Sequence, residues 1–216
     1  MRLFPLCAVA VLAGCGGSGV EPVTPAPALV TGRAPSYQGG LRLPVRGEWR
    51  VHRTHYGHRG AQAYAVDLVK TGERRPGGDN RAFPSYGEPI VADAPGVVAI
   101  AVDGIPDNAP GAVNGYDLHG NYVVIDHGNG EYSLFAHLVP GSLQVRAGQP
   151  VGMGQILGLC GNTGQSTMPH LHWQVMSHPM ASQAKGLPVR HLPYKNRGQL
   201  TTQMLQKGDV VEAVDP

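Results

Sequence analysis

Residues 120–138 read GNYVVIDHGNGEYSLFAHL, and this stretch decides the fold class. Two strand-like runs, NYVVIDH and EYSLFAH, flank Gly128-Asn129-Gly130. Glycine and asparagine tolerate the positive φ that a tight hairpin requires, so the stretch predicts two antiparallel strands joined by a short turn. Runs of the same kind lie on both sides: GEWRVHRTH, QAYAVDLV and EPIVADAPGVVAIAV before it, QPVGMGQILGLC and HLHWQVM after it. Several alternate apolar and polar residues with the period of half-buried strands. No 30-residue βαβ rhythm and no fixed-period repeat appears. The expected architecture is mainly β, a compact antiparallel sheet or sandwich-like domain. Two longer irregular stretches interrupt it, KTGERRPGGDNRAFPSYG and DGIPDNAPGAVNGYDLHG. Loops of that length are commonly functional, which makes them candidate groove walls; plain surface insertions are the other reading.

Composition agrees. With 31 glycines and 19 prolines but only 15% charged and 6% aromatic residues, the 216-residue chain favours many turns between short strands. The length suits one domain with appendages. A formal charge of +2, without basic runs interleaved with aromatics, argues against a nucleic-acid partner.

The N-terminus reads as a targeting segment. Arg2 precedes an apolar run far shorter than the roughly 20 residues that span a bilayer. The run ends in Leu12-Ala13-Gly14-Cys15, which resembles the bacterial lipobox. That resemblance implies a signal peptide at 1–14, a lipid anchor on Cys15 and a location in the cell envelope, on the periplasmic or outer-membrane side. Residues 15–40 are rich in Gly, Pro, Ala, Thr and Ser and read as a flexible tether. The remaining residues, 41–216, form the expected domain, with LPVRHLPY and GDVVEAV as candidate edge strands. Cys160 is then the single thiol of the mature domain, excluding an internal disulfide, and its apolar neighbours mark it as a small buried hydrophobe.

The residues that carry chemistry begin with Pro169-His170-Leu171-His172-Trp173. On a strand, His170 and His172 share one face while Leu171 and Trp173 pack behind. Imidazole is the commonest zinc ligand. Asp67 lies in the apolar run AYAVDLV, where an isolated carboxylate is costly unless it is paired or metal-bound. Upstream stand His52, His55 and His58. One of these with Asp67 and His172 makes a three-ligand set that leaves a fourth tetrahedral position for water, as in a catalytic zinc site. His137 closes the run EYSLFAHL as a further imidazole. His119, His127, His178 and His191 read as solvated or loop histidines, Asn121, Asp126 and Asn162 as turn residues.

The blocks HYGHRGAQAYAVDLV, GNYVVIDHGNGEYSLFAHL, GQPVGMGQILGLCGNTGQS and PHLHWQV resemble, in order, those of the LytM/lysostaphin-type zinc metallopeptidases. The likeness spans roughly residues 47–175. It implies a small antiparallel β fold with a central groove, a Zn2+ cofactor and endopeptidase activity on peptidoglycan peptides. By the same resemblance, Asp67 and His172 are metal ligands and His170 and His137 catalytic residues. One departure stands out. The commonest family pattern has its first histidine ligand four residues before the aspartate, where this chain has Ala63. The chain looks instead like the subgroup with a longer separation, carrying the run Gln62 to Asp67, and His55 is the expected first ligand, with His58 next and His52 third. The expected protein is a monomer. A catalytically silent member that binds peptidoglycan or regulates another hydrolase is the alternative; such members usually lack some ligands, and here a full set is available.

Overall fold

The structure, a computed structural model, describes residues 40–54, 57–74, 78–115 and 118–214. Residues 1–14, Cys15 and the tether up to residue 39 lie outside the described residues, as does His55. Thirteen strands follow in chain order among those described: β1 (Glu48–Arg53), β2 (Val66–Lys70), β3 (Pro89–Val91), β4 (Gly96–Val102), β5 (Asn121–Asp126), β6 (Tyr132–Leu138), β7 (Pro150–Val151), β8 (Ile156–Leu159), β9 (Leu171–Met176), β10 (Gly186–Leu187), β11 (Tyr194–Asn196), β12 (Gln199–Thr201) and β13 (Val210–Ala213). The described helices are single 3-10 turns, and none is long and apolar enough to cross a membrane.

The expected hairpin forms. β5 and β6 pair antiparallel, with Val124 opposite Leu134 and Asp126 opposite Tyr132. Gly128 and Gly130 take φ of 77° and 87°, a left-handed geometry that β-carbon sterics disfavour in other residues. Asp126 Oδ1 accepts from the Gly128 N–H at 2.7 Å, the turn role its sequence context indicates.

Around this hairpin runs one large sheet in the order β12-β11-β13-β1-β2-β9-β6-β5-β4-β7, with β10 beside β9. All its pairings are antiparallel. A separate ribbon, β3 with β8, supplies Ile90 and Leu157 to the same core as Val98, Val123, Phe135 and Trp173 of the large sheet. Two runs that read as continuous strands are therefore divided. EPIVADAPGVVAIAV breaks at Asp93-Ala94-Pro95, where proline has no N–H to give a ladder, and its halves join different sheets. QPVGMGQILGLC divides in the same way into β7 and β8. GDVVEAV is not an edge strand: β13 lies between β11 and β1, and β12 takes the edge.

Period-two alternation separates two faces of the sheet centre. Leu171, Trp173 and Val175 of β9 enter the main core beside Val66, Leu68 and Phe135. Each large side chain buried there contributes roughly 1.5–3 kcal/mol. His172 and Gln174 belong to the opposite face yet stay buried, because loops roof it. Cys160 packs in the core as expected, and burial pushes its thiol up.

His127 departs from expectation. It is 1% exposed rather than solvated. Its Nε2 lies 2.9 Å from Ser133 Oγ, and Ser133 Oγ donates to Asp93 Oδ2 at 2.6 Å. The same oxygen accepts from the Trp173 indole N–H at 2.9 Å. This buried polar knot ties β9 to the hairpin from behind. Burial raises the Asp93 carboxyl.

Candidate active site

Strand register brings the chemistry together. β2 and β9 pair so that Asp67 lies directly opposite His172, and β6 flanks β9 on its other side with Ala136 opposite His172. Residues 105 apart in sequence thus share one rung. His172 Nδ1 is 2.9 Å from Asp67 Oδ1. From the loop after β1, His58 places Nε2 3.2 Å from Asp67 Oδ2. These three residues offer donor atoms that all lie within 4.8 Å of one another.

The donor set fits a metal ion. His58 Nε2 is buried and makes no hydrogen bond despite its approach to the carboxylate, and a nitrogen left so would be costly without a partner. His172 also has Nε2 3.4 Å from Gln174 Oε1, so a ring N–H placed on Nε2 has an acceptor there and would leave Nδ1, on the Asp67 side, free to bind a metal. Burial alone would raise the Asp67 carboxyl, but His172 and His58 beside it hold it well below the ordinary carboxylate range. It is an anion. Two imidazole nitrogens and one carboxylate, with one side open to a cleft of about 250 Å³, match a three-ligand catalytic zinc site better than a closed four-ligand one. Arg53 Nε lies 3.9 Å from Asp67 Oδ2, adding a half-exposed cation at the rim.

His170 and His137 line the same cleft, their ring centroids 4.8 Å apart. His170 Nδ1 donates to the Met168 carbonyl at 2.9 Å, and His137 Nδ1 to the Thr163 carbonyl at 2.7 Å. Each Nε2 is therefore the unprotonated nitrogen, and that of His170 sits 3.8 Å from Asp67 Oδ1. Burial lowers both imidazoles, that of His137 well below its usual value, so both are bases at neutral pH. His137 adopts φ of 66°, a costly conformation for a side-chain-bearing residue and a recurrent feature of active sites. Its carbonyl is held by the Gly161 N–H and its N–H by the His119 carbonyl.

Several contributors were not legible beforehand. Ser166 Oγ lies 3.1 Å from His170 Nδ1 and donates to Asn162 Oδ1 at 2.7 Å, while Asn162 Nδ2 donates to Asn80 Oδ1. Asn162, read as a turn residue, is thus a fully buried support for His170. Gln174 could have been found from period two, as the next same-face residue after His170 and His172. His119 is not a solvated histidine: its ring centroid is 6.3 Å from that of His172, and Gln62 approaches its Nε2 at 3.5 Å. Burial, aided by His172, brings its pKa down to about 4. His52 is exposed at the cleft wall, and His178 and His191 lie in loops outside the cleft.

The two long loops play unequal parts. The second contributes Leu118 to the cleft wall. The first backs the second, through Tyr86 donating to Asp107 at 2.7 Å and Asn80 to the Asn108 carbonyl at 2.8 Å. Asn121 locks the second loop to the hairpin by pairing with both backbone groups of Ile105.

A family model described as peptidase family M23 matches residues 78–185, half of the chain. The chain belongs to peptidase family M23. The matched segment includes His137, His170 and His172, whereas His58 and Asp67 precede it; Asp67 is brought beside His172 by the β2–β9 pairing and His58 by the loop after β1. The chain is 32% identical over 161 residues to the peptidoglycan DD-endopeptidase ShyA of Vibrio cholerae, covering 73% of this chain and 33% of that protein. It is 30% identical over 205 residues to the DD-carboxypeptidase/endopeptidase Mpg of Neisseria meningitidis serogroup B, covering 94% and 37%. It spans about a third of the length of these curated relatives. Among solved structures, the catalytic domain of lysostaphin from Staphylococcus simulans aligns at 23% identity with a TM-score of 0.39, over 65% of this chain and 88% of that one.

Proposed function

We propose that this M23 chain is a zinc-dependent endopeptidase that hydrolyses peptide bonds in the stem peptides or crosslinks of peptidoglycan. One observation carries the reading: a buried carboxylate and two imidazoles converge beside a cleft that two further neutral imidazoles line. Family membership and the activities named for the relatives support it.

In this reading His58, Asp67 and His172 hold the zinc. Among the described residues it is His58 that supplies the third donor atom beside Asp67 and His172, and in this reading it is the first histidine ligand; His55, the expected one, lies outside the described residues. When bound, zinc supplies a Lewis acid and lowers the pKa of a ligated water toward about 7. With the metal bound, Gln174 Oε1 would accept the Nε2–H of His172 and hold that tautomer. His170 and His137 present unprotonated Nε2 atoms to the cleft, ready to accept a proton from the nucleophile and return it to the leaving amine. A protonated form of either can stabilise negative charge on the carbonyl oxygen. A complete donor set speaks against the silent alternative.

The finer organisation belongs to the same proposal. Residues 1–14 serve as a lipoprotein signal, Cys15 carries the lipid, residues 15–40 tether, and residues 41–216 act as a monomeric peptidase in the cell envelope. The test is digestion of purified sacculi by zinc-loaded protein, with released peptides read by mass spectrometry. New peptide termini are expected from the wild type. His172→Ala and Asp67→Ala should lose both zinc and products. Full hydrolysis by His172→Ala would discard the assignment.

A further inference from the structure

Beside the metal cleft lies a second cavity of about 440 Å³, and Gln62 and Leu118 stand in the walls of both. Its body is apolar, built from Tyr122, Leu134, Pro179 and Met180. One side chain of fixed charge lines it, Arg59. Arg59 is exposed, and no carboxylate pairs with it among the described residues. It follows directly on His58 and opens the 3-10 turn that carries Gln62. Consecutive residues thus line the two cavities, His58 the first and Arg59 the second.

An apolar chamber with a free guanidinium in its wall selects by chemistry. A purely aliphatic group would leave the cation without a partner, and a purely ionic one would leave the apolar walls wet. An aliphatic stem ending in a carboxylate satisfies both, since a guanidinium pairs with a carboxylate through two parallel N–H donors. We propose that this cavity is a specificity subsite for a substrate residue next to the scissile bond, one whose aliphatic side chain ends in a carboxylate that Arg59 binds. This rests on the endopeptidase reading, and diaminopimelate in a peptide crosslink has the required chemistry.

The probes are two synthetic crosslinked peptides, identical except that the diaminopimelate side-chain carboxylate is free in one and amidated in the other. Binding is measured by calorimetry on zinc-loaded His170→Ala protein with Arg59 intact or replaced by Gln; hydrolysis is measured on the wild type and on Arg59→Gln. The free acid should bind about tenfold tighter than the amide, the scale of one charge-assisted hydrogen bond. Arg59→Gln should erase that difference, raising KM for the acid while kcat holds, and Arg59→Lys should restore part of it. Equal binding of acid and amide by the protein with Arg59, or equal weakening of both by Arg59→Gln, would overturn the subsite. Hydrolysis without discrimination rejects the subsite and keeps the endopeptidase. Discrimination in binding without hydrolysis supports the subsite and rejects the endopeptidase.

Discussion

Replacing His58 by alanine tests the candidate metal centre at the ligand that two neighbouring histidines contest. The side chain removed brings Nε2 to 3.2 Å from Asp67 Oδ2 and is one of three protein donors. Structural zinc held by four ligands is worth about 10–16 kcal/mol, or roughly 2.5–4 kcal/mol per ligand. At 1.4 kcal/mol per tenfold, His58→Ala should weaken zinc on the order of 10²–10³-fold. Linkage carries the loss into stability: a ligand at 100 to 1,000 times its Kd stabilises the fold by about 2.7–4.1 kcal/mol, so His58→Ala should forfeit most of the zinc-induced rise in Tm. Chelator competition at pH 7.5 and melting with and without zinc give the two readings, with His55→Ala alongside and expected within about threefold of wild type in affinity. Wild-type zinc affinity in His58→Ala together with loss in His55→Ala would refute the reasoning.

Other outcomes follow from the same geometry. His170→Ala and His137→Ala should each retain zinc by elemental analysis while losing turnover by about 10²–10⁴-fold, the usual contribution of a general base. Ser166→Ala removes the hydroxyl between Asn162 and His170; kcat should fall by about 10–100-fold with zinc retained, as for other groups that orient a catalytic residue. Trp173→Phe deletes the indole donor to buried Asp93, and urea unfolding should show a loss of about 1–3 kcal/mol with m unchanged. For pH, the folded pKa values of His119 and His137 lie below the unfolded value near 6.5. The unfolded chain then binds more protons in that window, so the metal-free protein should lose stability as pH falls from about 6.5 toward 4, measured as a falling Tm. A Tm that stays level or rises across that interval would contradict the buried, neutral state of these rings.

The strands were legible because their cause is local. Alternation along NYVVIDH and EYSLFAH and the glycines of the turn act over a few residues, and β5 and β6 formed where those signals lie. The shared face of His170, His172 and Gln174 follows from period two alone. Sheet membership was not legible: EPIVADAPGVVAIAV reads as one run, and only the packing of Ile90 against Leu157 in the core shows why its first half pairs with β8. The third donor was likewise not legible; among the described residues it is His58 that lies beside Asp67. His55 and His58 are chemically identical and lie in one short segment, so which imidazole faces Asp67 depends on the path of the loop after β1, which no periodicity encodes. His127 and His119 were misread for the same reason. A histidine's sequence neighbours reveal little of what distant strands lay over it, and burial by Asp93, Ser133 and Trp173 in one case, and by the cleft wall in the other, exists only once the sheet has closed.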